Sequence, residues 1–242
     1  TTDDPAESVG RIMQKYDLVA IPVVDSIGRL VGRITIDDVV DVIREEAEKD
    51  YQMMSGISQD VESSDTIWEQ TKARLPWLII GLFGGMLAAY MISFYEADIA
   101  LFPATAMFIP VITAMGGNVG IQSSAIVVKG LASNSLNPKN IFQSITKEIS
   151  CAAINASICS SIIFILSLFF GLNSYAMPIT VTISLFIVIM FASMFGTAFP
   201  LLLNKMKIDP ALATGPFITL TNDIIGLNIY LFIGKAILEG LK

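Results

Sequence analysis

Asp223 is the residue whose chemistry is hardest to explain as packing, because it lies inside an apolar run, Gly215 to Gly234, GPFITLTNDIIGLNIYLFIG. A carboxylate at the centre of a membrane span costs about 2.5 to 3.5 kcal/mol on insertion scales, and acids kept there mark ion or proton paths. The bland alternative is a protonated acid bonded to a neighbouring helix. Steps of three and four along a helix place Gly215, Thr219, Asn222, Gly226 and Tyr230 on the side of Asp223. Such a stripe of small and polar groups faces protein or water, so a cation pathway is the favoured reading. Asp209 and Pro210 supply an acid followed by proline, an ordinary helix start. A helix running from Ala211 would put Asp223 roughly 18 Å along its axis, near mid-membrane.

Two other constellations have the right residue types for cations. Met115 to Ser124, MGGNVGIQSS, is too polar and glycine-rich to face lipid. Gly117 with Asn118 and Gln122 suits either a break that offers carbonyls and amides to a hydrated ion or a close glycine-mediated helix contact. In REEAEKD, Glu45 and Glu48 lie three apart and Glu46 and Asp50 four apart, so each pair shares a helix face. Such a run is usually a solvated surface, although a divalent ion can bridge carboxylates to another acidic surface. Glu148, beside Lys147, is expected to form a structural pair or reach the interface. Cys151 and Cys159, with no histidine in the chain to share a metal, are expected to be small buried apolar residues.

These residues must be positioned by membrane helices. Hydrophobic residues make up 53% of the chain and charged residues 15%, a balance well outside that of soluble domains. Residues 1–75 carry a net charge of −8 and residues 76–242 a net of +1, which places a domain boundary at Leu75. No basic face suits nucleic acid, so cations and membrane lipid are the expected partners. The first residues lack the basic-then-apolar order of a signal peptide. Five spans are expected: Pro76 to about Tyr95, Ile99 to Val128 broken by Pro103, Pro110 and the GGNVG stretch, Ile141 to Phe170, Ile179 to Leu203, and Ala211 to Leu238. Lys129, Lys139 and Lys147, and then Lys205 and Lys207, mark cytoplasmic loops; Glu96 to Asp98 and Gly171 to Met177 carry no Lys or Arg. A multi-pass plasma-membrane protein follows, with its N-terminal segment cytoplasmic and its C-terminus outside. An enzyme is not expected: zinc motifs need histidine, and an aspartyl mechanism needs two close acids where only Asp223 lies deep in a span.

The soluble segment reads as a helix opened by Asp4 and Pro5, a strand Ala20 to Val24, a turn at DSIG, a strand Arg29 to Thr35, and a helix from Ile36 to Asp50. Gly56 to Thr71 reads as a linker or surface helix, and Trp68, Lys72, Arg74 and Trp77 as the membrane interface. With PVVD, GRLVGRIT and DD in order, the segment resembles the C-terminal part of a CBS domain. In nucleotide-binding CBS domains a T-x-x-D pattern, here Thr35 and Asp38, contacts a ribose, which implies ATP at an intact CBS pair. The competing reading is a capped helix start.

PVVDSIGRLVGRITIDDVVDVI, PVITAMGGNVGIQSSAIVVKGLA, the Lys147 and Glu148 pair and DPALATGPFITLTNDIIGLNIY together resemble the MgtE family of magnesium channels across nearly the whole chain. The resemblance implies a fold in which a partial α/β CBS domain (1–42) and an acidic connecting helix and linker (43–75) precede an all-α domain of five transmembrane helices (76–242). It further implies a homodimer whose pore, at the dimer interface, is lined by the second and fifth spans, with Asp223 of both subunits holding Mg²⁺ through its water shell. Asp37, Glu45, Glu48 and Asp209 are the implied sites where cytosolic Mg²⁺ closes the channel. Mg²⁺ is then both substrate and regulator. Many relatives have an amide at Gly215 and GNQS where Gly120, Ile121, Gln122 and Ser123 stand, so an amide ring around the ion is weakened. A proton- or sodium-coupled carrier using Asp223 as coupling acid is the alternative.

Overall fold

The computed structural model describes residues 1–58, 61–132, 141–169, 175–213 and 215–240. They divide into two units, Thr1–Gln52 and Met53–Lys242.

The first unit runs α1 (Ala6–Tyr16), β1 (Ala20–Val24), β2 (Leu30–Thr35) and most of α2 (Ile36–Met54). The strands form an antiparallel hairpin in which Ala20 faces Thr35 and Val24 faces Leu30. The DSIG turn closes because Asp25 Oδ1 accepts from the amides of Ile27 and Arg29 at 3.0 and 2.8 Å, while Gly28 takes a φ of +81°. Gly10 lets α1 approach α2, since a Cβ there would lie 3.2 Å from Val39, and Met13 and Val39 are the buried apolar residues of the unit. Asp4 does not cap α1 as expected. Pro5 holds the N-cap position without a side-chain bond, and Asp4 instead accepts from the Thr1 hydroxyl at 3.1 Å.

Thr66 and Glu69 open the membrane region. The Thr66 hydroxyl accepts from the Glu69 amide while the Glu69 carboxylate accepts from the Thr66 amide at 3.0 Å, a capping box that starts α3 (Ile67–Ser93). The helix therefore begins well before Pro76, at Ile67, and carries Trp68, Lys72 and Arg74. After it come α4 (Glu96–Leu101), α5 (Ala104–Ala132), α6 (Ile141–Leu168), α7 (Ala176–Lys205), a single 3-10 turn (Pro210–Ala213) and α8 (Pro216–Glu239). Five of these helices are long and apolar enough to cross a membrane. The core forms around α7, whose Val181, Leu185, Val188 and Ile189 pack with Phe108 and Ile112 of α5 and Leu227 and Tyr230 of α8. Tyr230 is fully buried, and its hydroxyl donates to the Thr105 carbonyl at 2.8 Å, satisfying a polar tip that would otherwise be stranded.

Three expectations are corrected. The second span is not broken at GGNVG: α5 is one continuous helix through Pro110 and Asn118. Its glycines are contact points instead of openings. A Cβ on Gly116 would lie 3.2 Å from Val188 and one on Gly117 3.2 Å from Thr219; one on Gly120 would collide with the Asn222 side chain. The fifth span starts at Pro216 rather than Ala211, because Gly215 takes a φ of +71° and interrupts the chain after the 3-10 turn. Cys151 is exposed on the outer side of α6, whereas Cys159 is half-buried against the core. Phe170, Lys139 and most of the Gly171 to Met177 loop fall outside the described residues.

Candidate cation site

Gly215 sets the start of α8 and so the depth of Asp223. With the helix beginning at Pro216, Asp223 lies about 10 Å along the axis, in the first half of the span instead of at its centre. Left-handed backbone is open to glycine, and space makes the same demand: a side chain at Gly215 would strike the carbonyl of Met54. Gly56, with φ +77°, reciprocates, since a Cβ there would lie 2.7 Å from the Pro216 ring. The turn after α2 is thus seated backbone-to-backbone on the first residues of α8.

Asp223 is half-buried and opens onto a groove of about 370 Å³ shared with Thr219, Gly215, Gly81, Gly84 and Gly85. Gly84 is where α3 meets α8, against Leu220, whereas a Cβ on Gly81 or Gly85 would meet nothing within 4 Å. The glycines of IIGLFGG thus carve the groove wall, a signal the sequence carried but which reads only as membrane span without the contact. On the other side, Gly117 brings α5 close enough that its Cβ would lie 3.5 Å from Asp223 Oδ1. About 100° around α5 from Gly117 comes Asn118, exposed, and one turn beyond it Gln122, also exposed. No basic side chain among the described residues pairs with Asp223.

The stripe on α8 divides. Gly215, Thr219 and Asp223 line the groove, while Asn222 is 1% exposed and Gly226 is buried against Val188. Within one chain, Asn222 and Gly226 form a helix contact. The Asn222 amide has no hydrogen-bond partner among the described residues.

Asp209 Oδ1 accepts from the Ala211 amide at 2.9 Å and starts the 3-10 turn. Asp37 and Glu45 are exposed on α2, and Glu48 accepts from Arg44 Nε at 2.9 Å on the same helix. Asp38 Oδ2 accepts from the Thr35 amide and hydroxyl at 2.8 and 2.7 Å. These bonds, the backbone one foremost, hold the Asp38 carboxyl below its ordinary range. The two residues are therefore engaged as a helix start. No group of three or more metal-ligating side chains occurs among the described residues.

A helical bundle with a lone acid in one span is common to many transporters, and comparison with known proteins narrows the choice. The MgtE divalent cation transporter profile matches residues 109–233, from α5 through most of α8, and a CBS domain profile matches residues 1–45. The chain belongs to the MgtE family. Among its relatives, the magnesium transporter MgtE of Bacillus subtilis is 37% identical over 235 residues, covering 97% of this chain and 52% of that protein. The MgtE magnesium transporters of Thermus thermophilus and Enterococcus faecalis are 30% and 33% identical, covering 99% and 98% of this chain and 53% and 52% of theirs. The chain thus spans about half the length of the curated relatives it matches. As an MgtE member with five such helices it is a multi-pass membrane protein.

Proposed function

We propose that this chain forms the pore of a Mg²⁺ transporter, with Asp223 holding the ion. The observation that carries the reading is a carboxylate on a membrane helix that opens into a groove and has no basic partner among the described residues. A negative charge in that position calls for a cation, and the family profile names divalent ones. Mg²⁺ gives up its waters reluctantly and is commonly held by one or two carboxylates through retained waters. One chain supplies one carboxylate here. A two-fold homodimer would bring a second Asp223 to the same ion, and the exposed amides of Asn118 and Gln122 would then face water and the partner rather than lipid. The soluble segment lies on the cytoplasmic side and the C-terminus outside, following the lysines at the span ends.

Uptake of Mg²⁺ into liposomes carrying the full chain tests the reading. Flux down the Mg²⁺ gradient alone is the expected result. Flux that requires an imposed proton or sodium gradient would make Asp223 a coupling acid instead.

Cytosolic Mg²⁺ is proposed to act on the acidic face of α2 and on Asp37 and Asp209. Replacing Glu45 and Glu48 together by glutamine is expected to leave flux open at Mg²⁺ concentrations that inhibit the parent, and unchanged inhibition would remove these residues from regulation. No nucleotide enters the proposal, because Thr35 and Asp38 bond to one another.

A further inference from the structure

Glu148 does not pair with Lys147 and is not left to the membrane interface. Its Oε1 accepts from Ser123 Oγ of α5 at 2.6 Å and from Ser193 Oγ of α7 at 3.1 Å, and the two hydroxyls lie 3.0 Å apart. Ser123 is 3% exposed and Ser193 1%, so one carboxylate oxygen on α6 ties together three helices inside the bundle. Inside the bundle, where the local dielectric is low, such hydrogen bonds are stronger than in water, and here they replace what water would supply.

The placement of Ser123 gives the cluster its meaning. It lies on the same helix as Gly117, which packs against Thr219 and Asp223 of α8, and one turn from Gly120, whose carbonyl touches Gly196 of α7. The glycine contact sets how close α5 comes to α7, but a glycine seam is smooth and leaves rotation about the helix axis poorly determined. The two serine bonds fix that rotation. Turning α5 by one residue would carry Gly117 away from Asp223 and Ser123 away from the carboxylate.

We infer that Glu148 is a positioning residue: through Ser123 and Ser193 it holds the rotation of α5 at which Gly117 stands against Asp223, and so shapes discrimination among divalent cations. The inference rests on the transport reading for its selectivity consequence, though not for its geometry. Glutamine at this position keeps an oxygen able to accept from both hydroxyls, whereas alanine keeps none.

The test uses the full chain with Cys151 and Cys159 changed to serine and spin labels placed at the exposed positions Ile126→Cys on α5 and Met194→Cys on α7, diluted with unlabelled chain. Label-to-label distances are measured alongside the ratio of Mg²⁺ to Co²⁺ flux, which does not depend on how much protein folds. Glu148→Ala is expected to shift or broaden the distance distribution by about 2 Å. It should also lower the flux ratio about three- to ten-fold, the size of effect known for remote groups, while Glu148→Gln restores both. Should Glu148→Ala not fold, the Ser123→Ala, Ser193→Ala double variant removes the same bonds and is expected to give the same shift. Unchanged distances in either variant would overturn the positioning role. A parent chain that moves no Mg²⁺ would overturn the transport reading and leave the distance test standing.

Discussion

Changing Asp223 to asparagine is expected to lower Mg²⁺ flux by about 100-fold or more while leaving the bundle folded. The side chains have nearly the same shape, so packing against Gly117 and Thr219 is conserved. What is lost is charge. Two unit charges 4 Å apart attract by about 4 kcal/mol at the effective dielectric of a partly exposed site, and a divalent ion doubles the interaction. Even after the ion's retained waters take up half of that, the remainder exceeds the roughly 2.7 kcal/mol of a hundred-fold change. Tracer uptake by parent and variant, normalised to monodisperse protein, measures it. Undiminished uptake would take Asp223 out of the mechanism.

The largest structural effect is expected at Gly196. A methyl group there would run into the backbone of Gly120, with the carbonyl oxygen as the nearest atom, where α5 and α7 meet. Backbone cannot rotate out of the way, so the helices must separate and every neighbouring core contact loosens. Overpacking of this kind costs about 1 to 3 kcal/mol and occasionally more. Gly120→Ala meets mainly the Asn222 amide and a methyl of Ile218, side-chain atoms with somewhere to move. Thermal unfolding in one detergent should therefore rank Gly196→Ala below Gly120→Ala, and both below the parent. Equal melting temperatures for all three would show that the seam is not as tight as the glycine contacts require.

Much of the fold was readable because lipid imposes a simple rule. A span must be long, apolar and helical, and α6 and α7 fall within a few residues of their expected limits. Where local chemistry competes with that rule, hydropathy misplaces the helix ends. The Thr66 and Glu69 capping box begins α3 in polar sequence that hydropathy passes over. At the other end, Gly215 delays α8 although Asp209 and Pro210 advertise a helix start, because that signal is consumed by the 3-10 turn. The residues around Asp223 were legible as types but not as partners. MGGNVG looks equally like a broken helix and a contact surface until Gly120 is seen against Asn222. The stripe on α8 was legible as polar, yet its division into Asp223 on the groove and Asn222 in the bundle depends on where α5 and α7 stand. Glu148 shows the limit most clearly, since its partners lie 25 and 45 residues away and no spacing rule connects them.

The central claim is that Asp223 holds a hydrated divalent ion between two copies of the chain. Equilibrium Mg²⁺ binding to the full chain in lipid nanodiscs tests it most directly, with Glu45→Gln and Glu48→Gln in place so that binding on α2 does not obscure the count. A single ion shared by two chains, lost with Asp223→Asn, is the expected result. An ion bound by each chain separately, or binding that persists in Asp223→Asn, would contradict it.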